Sequence, residues 1–406
     1  MRGILQEPLE SGAVRCNVCA FRCELSEGQV GRCRVRRNDG GEINYLAYDA
    51  MGAVCPFVGQ CGAGTYCVGK PSCNWSCSFC LNSSETIPEF FDAFGGAGET
   101  PLTDDGYLDK KSLLGAKLPM FPLETMKKKD PKQVVEDWKA SGLGWFAIRL
   151  TEASIHVEST SEMFKLVRAA GGNVLIATNG YWTSELLQVM APLVDVVDVG
   201  LKGSANRKFM SKVAGVPKIE PIFETIEGLV SHGCAVMVSD LPLYHRDWES
   251  DFSRVCAFIA DTIPERDYPR LSIAPFGGHT PAVAFGHFKL GIPVEIRPQV
   301  FYDSRANLML RAVEIALEHL DMVWMQGFGA LPKEEIQPLF EALPEPKVIE
   351  GAAIRVGRTQ LGTVIELEQA AMDLPRMRER VDAAWGEGAS SRGVIGEILR
   401  TEEQVV

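Results

Sequence analysis

Three cysteines spaced Cys73-x3-Cys77-x2-Cys80, in Ser72-Cys73-Asn74-Trp75-Ser76-Cys77-Ser78-Phe79-Cys80, are the residues best suited to chemistry in this chain. Three thiolates can hold three irons of a 4Fe-4S cluster and leave the fourth iron open to chelate a small molecule. Upstream, Cys16, Cys19, Cys23 and Cys33 form Cys-x2-Cys-x3-Cys-x9-Cys with turn glycines between them. Four thiolates so placed suit one closed, structural tetrahedral ion, zinc or iron. Cys55, Cys61 and Cys67, spaced Cys-x5-Cys-x5-Cys, offer three more sulfurs, either for a second Fe-S centre or ion or as ordinary thiols. Cys234 and Cys256 read as small buried hydrophobes.

Ten of the twelve cysteines lie between Cys16 and Cys80 of a 406-residue chain. Disulfide frameworks belong to short secreted chains. This N-terminus has no apolar signal core, so metal or cluster ligation in a reducing cytoplasm is the expectation. With 46% hydrophobic and 23% charged residues, the chain reads as globular with a large core. The net charge of -12 argues against nonspecific nucleic-acid binding. No apolar run approaches the roughly 20 residues of a membrane span.

The elements that must position these thiols alternate. Strands are expected before Cys73 and at Trp145–Leu150, Asn173–Thr178, Val194–Leu201, Cys234–Leu241 and Arg270–Ala274. Helices are expected near Ser161–Ala170, Ser184–Met190, Pro221–His232 and Asp247–Ile263. The strands are continuous apolar runs, as in a parallel sheet covered on both faces. The fold class is therefore α/β, a partial or full β/α barrel with its site at the C-terminal strand ends. Three zones follow: 1–66, a Cys-rich metal-binding extension with a hairpin turning at Asn38–Gly41; 67–330, the barrel, interrupted by an insertion at 83–130; and 331–406, a small α+β region.

The Cys73–Cys80 spacing, with Phe79 just before the last cysteine, resembles the radical S-adenosylmethionine (SAM) superfamily. More narrowly, the run from Cys16 to Asn38 is similar to the opening of the radical SAM member of the AmmeMemoRadiSam group, relatives of pyruvate formate-lyase activating enzyme. Thr151-Glu152-Ala153-Ser154 stands where that group has Asn-Glu-Pro-Thr, Thr178-Asn179-Gly180-Tyr181 matches well, and Gly200-Leu201-Lys202-Gly203 stands where it has Asp-Leu-Lys. The resemblance implies a SAM-cleaving enzyme whose cluster sits on Cys73, Cys77 and Cys80. It also implies that Glu152 takes the SAM ammonium, that Thr178 and Asn179 line its ribose or carboxylate region, and that Lys202 binds its carboxylate. The group's aspartate is Gly200 here, and its histidine near the sixth strand is not reproduced in Ala274–Gly278; Cys55, Cys61 and Cys67 have no counterpart there. Tyr107, Asp104 and Asp105 of the insertion are default loop residues.

What the resemblance implies about the reaction is a radical taking hydrogen from a C–H bond of a large substrate, a protein or peptide, with a one-electron reductant such as ferredoxin or flavodoxin. The extra thiols and the tail look like enzymes that modify methyl-coenzyme M reductase, so the favoured outcome is post-translational C-methylation assisted by cobalamin. No Asp-x-His-x-x-Gly cobalamin signature is present. The alternatives are a glycyl-radical-enzyme activase and, in another class, a noncatalytic iron-sulfur or zinc scaffold.

Overall fold

The computed structural model describes residues 1–52, 54–59, 62–77, 119–149, 151–201, 205–240, 247–265, 269–273, 305–326, 338, 340–350 and 353–358. At the N-terminus, β1 (Gln6–Pro8), β2 (Val14–Cys16) and β3 (Glu24–Leu25) form a small antiparallel sheet, and β4 (Arg36–Asp39) and β5 (Glu42–Tyr45) form a hairpin. The hairpin turns where the sequence places it. Gly40 and Gly41 have φ of 66° and 81°, the conformation that a two-residue hairpin loop requires, and Asn38 Oδ1 accepts from Gly41 N at 2.9 Å. Next come β6 (Ala50–Met51) and β7 (Val54–Gly59), the latter antiparallel to β8 (Gly62–Val68). The end of the expected insertion contributes β9 (Lys127–Lys128), which returns to pair with β6.

β8 is the first of seven parallel strands whose spatial order follows the chain. The others are β10 (Trp145–Ile148), β11 (Asn173–Thr178), β12 (Val196–Leu201), β13 (Ala235–Asp240), β14 (Leu271–Ile273) and β15 (Met322–Gln326). The connections carry α1 (Pro131–Ser141), α2 (Val157–Ala169), α3 (Ser184–Met190), α4 (Arg207–Val213), α5 (Glu220–Ser231), α6 (Trp248–Thr262) and α7 (Arg305–Leu317). This is the α/β repeat expected, with β15 and helices α1, α4 and α7 in addition. β16 (Lys347–Glu350) and β17 (Ala353–Gly357) extend the same sheet antiparallel beyond β15. Among the described residues the sheet is open, with β7 and β16 at its ends.

Local chemistry explains why elements start where they do. Asp130 caps α1 through Lys132 N at 2.8 Å, Gln133 reaches back to Asp130 N, Pro131 opens the helix, and left-handed Gly142 closes it. In the strands, Phe146, Ile148, Val174, Ile176, Val197, Val199, Val236 and Val238 are buried in the main hydrophobic core. Side chains alternate along a strand, so those of Ala147, Ala177, Asp198 and Ser239 turn to the opposite face. The C-terminal ends of β8, β10 and β11 lie side by side. Those ends carry the residues singled out for chemistry. No helix among the described residues is long and apolar enough to cross a membrane.

Candidate cluster and cofactor site

The segment after β8 is pinned from several sides before it reaches Cys73. Lys70 is fully buried and donates from Nζ to Ala47 O (2.9 Å) and Tyr48 O (3.1 Å); burial pulls its pKa down to about 7. His156 donates from Nε2 to Pro71 O at 2.7 Å, and its Nδ1 meets the Tyr45 hydroxyl at 2.8 Å. Burial holds this histidine well below its ordinary pKa, hence neutral. Ser72 has φ of 72° and donates from Oγ to Cys33 O at 2.8 Å. Cys73 and Cys77 are both partly exposed. Cys73 Sγ accepts from Trp75 N at 3.4 Å and lies 3.8 Å from Asn179 Nδ2. Its own thiol donates to Asn74 Oδ1 at 3.7 Å, so the sulfur sits inside the Asn74–Asn179 hydrogen-bond group.

Glu152, Thr178 and Asn179 meet as one buried unit at the ends of β10 and β11. Thr178 Oγ1 donates to Glu152 Oε1 at 2.7 Å, and Asn179 N donates to Glu152 Oε2 at 2.6 Å. Glu152 also caps the short turn Ala153–His156 through Ser154 N at 3.0 Å. Asn179 Nδ2 donates to Asn74 Oδ1 at 2.7 Å, which joins this unit to the Cys73 segment. Thr178 Oγ1 further accepts from Gly180 N (3.1 Å) and Trp182 Nε1 (2.8 Å). It is thus fully engaged and orients Glu152 and the loop. Glu152 Oε2 keeps lone-pair capacity beyond its bond to Asn179. Burial pushes the Glu152 carboxyl above its ordinary 4.5, against the pull of those hydrogen bonds.

Gly180 lets this loop turn. Its φ is 69°, and an added Cβ would stand 2.8 Å from Val199 Cγ1. Gly180→Ala is expected to cost about 2 kcal/mol, combining left-handed strain with crowding. Denaturant unfolding of the purified variant checks that figure.

The four upstream cysteines gather as the spacing suggests. Cys16, Cys19, Cys23 and Cys33 line one cavity of about 10 Å³ with Arg36 and Ile155 at its wall, room for one water-sized atom. That volume suits a single ion. Burial pushes the Cys33 thiol up to about 12, raises Cys19 strongly and raises Cys23, and each is raised further by neighbouring sulfurs. A cation bound there would stabilise the thiolates against that burial. Arg36 is fully buried, pairs with Glu158 through Nη2 and donates from Nε to Ile155 O at 3.1 Å. Its Nη1 has no hydrogen-bond partner among the described residues. A buried guanidinium that lines the cavity and interacts electrostatically with Cys16 and Cys33 fits a metal-thiolate centre, whose negative charge it would meet. Among the described residues no three Cys, His, Asp or Glu side chains stand in ligating geometry.

Of the remaining expected residues, Cys55 and Cys67 are direct partners across the β7–β8 ladder, and Cys67 is fully buried. Cys80, Lys202, Cys61, the insertion residues Asp104, Asp105 and Tyr107, and Ala274–Gly278 lie outside the described residues. Sequence reasoning missed a second polar group. Arg149, just past β10, reaches across the small Ala177 to Asp198 Oδ2 at 2.9 Å, and Ser239 Oγ donates to Asp198 Oδ1 at 2.6 Å. The available signal was a charged residue inside an otherwise apolar strand, Val196-Val197-Asp198-Val199. Cys234 and Cys256 are buried, as expected.

No protein-family profile matches the chain. An uncharacterized protein of Methanocaldococcus jannaschii, MJ0808, is 25% identical over 272 residues, 63% of this chain and 69% of that protein. Among solved structures, SuiB of Streptococcus suis bound to precursor peptide SuiA is similar over 59% of this chain and 47% of its own, at 12% identity and a TM-score of 0.37. A domain of pyruvate-formate lyase-activating enzyme from Bacteroides vulgatus is similar over 34% of this chain and 86% of its own, at 13% identity and a TM-score of 0.26. A spore photoproduct lyase is similar over 79% and 74%, at 11% identity and a TM-score of 0.34. Likeness at these scores carries no argument about chemistry, which rests on the residues themselves.

Proposed function

We propose that this chain is a radical SAM enzyme. The observation that carries the reading is the meeting of Cys73 with Glu152, Thr178 and Asn179 at neighbouring strand ends, through the 2.7 Å bond from Asn179 to Asn74. With SAM bound, a 4Fe-4S cluster on Cys73, Cys77 and Cys80 would supply a 5′-deoxyadenosyl radical able to take hydrogen from an unactivated C–H bond. The chain's own residues do the positioning. Glu152 offers a buried carboxylate oxygen to an ammonium, and Thr178 and Asn179 fix its orientation. Lys202 is assigned the SAM carboxylate. Cys16, Cys19, Cys23 and Cys33 would hold one zinc or iron ion as a structural centre.

The substrate we favour is a protein or peptide, and the outcome C-methylation assisted by cobalamin, with a ferredoxin- or flavodoxin-like electron donor. Supporting a large substrate, extra antiparallel strands stand at both ends of the parallel run, β7 at one and β16–β17 at the other. The test is an iron, zinc and cobalt count on protein purified without oxygen from a cobalamin-supplied host. Negligible iron would sink the reading, since the cluster must bring about four irons per chain. About four to five irons with roughly one cobalt favours the methyltransferase. About eight irons without cobalt makes Cys55, Cys61 and Cys67 a second cluster and favours an activase.

A further inference from the structure

The two cysteine sites touch through consecutive residues of the run Gly31-Arg32-Cys33. Arg32 sends its guanidinium out of the four-cysteine module into the Ser72–Cys77 segment. Nε donates to Asn74 O at 3.1 Å, and Nη2 donates to Ser76 Oγ at 3.3 Å and to Gly215 O at 2.7 Å. The guanidinium also lies 4.3 Å from the centre of the Phe21 ring. The next residue, Cys33, accepts the Ser72 hydroxyl on its carbonyl at 2.8 Å. Residues next to both Cys73 and Cys77 are thus gripped by two neighbours in the module, one of them a cavity cysteine. Ser72 is left-handed with φ of 72°, a conformation a serine holds only when its surroundings over-determine it. Gly215 completes the fit, because a Cβ there would stand 2.6 Å from both Arg32 Nη2 and Ser76 Oγ.

The module grips the Glu152-bound loop as well. Ala20 N donates to Tyr181 O at 3.0 Å, Cys19 bridges to Trp182, and the Phe21 and Tyr181 rings lie 4.7 Å apart. An ion that draws in Cys19, Cys23 and Cys33 therefore fixes backbone whose far side holds the Cys73 segment.

We propose that Arg32 is a positioning residue that couples the two sites, so that an ion held by Cys16, Cys19, Cys23 and Cys33 slows loss of the cluster held by the Ser72–Cys77 segment. This rests on the cluster reading above. Linkage makes the coupling reciprocal: the cluster tightens the ion by the factor by which the ion tightens the cluster.

The test uses the full-length chain, stripped of metal, given one equivalent of zinc, and then supplied with iron and sulfide without oxygen. The readout is the rate at which a chelator bleaches the visible absorbance of the cluster. Cys19→Ser supplies the form without an ion. Zinc-loaded wild type is expected to lose its cluster about ten-fold more slowly than Cys19→Ser. In Arg32→Gln that difference disappears while zinc stays bound, and Arg32→Lys, which keeps charge but not the fork, falls between. Three results overturn the proposal: no zinc effect in wild type, a full effect in Arg32→Gln, or loss of zinc from Arg32→Gln and Arg32→Lys alike, which would make Arg32 part of the module's own fold. A wild type that assembles no cluster sinks the cluster reading itself, and this inference with it; a cluster indifferent to zinc sinks this inference alone.

Discussion

In Cys77→Ala, 5′-deoxyadenosine formation from SAM is expected to fall to background, with about four irons per chain lost. On the proposed assignment the substitution removes one of three ligands, and the motif has no spare protein thiolate to replace it. The fold should tolerate it. Cys77 is partly exposed and only borders the main core, so the volume lost leaves little cavity. The ion of the four-cysteine site should stay, because Cys77 does not line that cavity. The measurement is chromatography of SAM products under a strong one-electron reductant, beside an iron and zinc count. Deoxyadenosine at wild-type levels would refute the assignment of Cys73, Cys77 and Cys80. A scaffold, in contrast, would make none before or after the change.

Much of this site was legible because its residues sit where strands end. β11 is an apolar six-residue run closed by Thr178-Asn179-Gly180, so its bounds and the loop after it could be read directly. The hairpin at Asn38–Gly41 was legible for the same local reason, a turn chemistry confined to four residues. β15 was not, since Met322–Gln326 is short and separated from the next recognisable signal. The wiring between modules was less legible still. Arg36 finds Glu158 across 122 residues, and Arg32 finds Asn74 across 42. An alternating Arg32-x-Arg34-x-Arg36 run reads as a solvated strand face until the fold is known. Arg34 in fact turns to Pro119 O and Met120 O, where the insertion rejoins the core. Glu152 shows how a role changes on burial. The family resemblance implies a ligand for an ammonium, and the structure shows that it is the acceptor organising Ser154, Thr178 and Asn179.

That second role sets the expected result for Glu152→Ala, which should lose SAM binding and also about 3 kcal/mol of stability, because buried donors left without an acceptor cost about 1–3 kcal/mol each. Ser154 N and Asn179 N are backbone donors and cannot turn away, whereas the Thr178 hydroxyl can rotate. Glu152→Gln separates the two roles. It keeps an acceptor at one position but sets an amide N–H against a donor at the other, so it should destabilise less than alanine while still losing the charge. The pH dependence has a definite sign. Burial raises the Glu152 carboxyl above its ordinary 4.5, so its contribution to stability is fully present below that value and is lost as pH rises through the raised one. Glutamine mimics the protonated acid and has no such slope. The stability cost of Glu152→Gln relative to wild type should therefore be largest at acid pH and shrink toward neutrality, as read by denaturant unfolding across that range. A cost that grows with pH instead would mean that the folded chain favours the ionised carboxylate, with its hydrogen bonds outweighing burial. SAM affinity, measured on the cluster-loaded protein at neutral pH, should fall in both variants if, as proposed, the Glu152 carboxylate meets the ammonium.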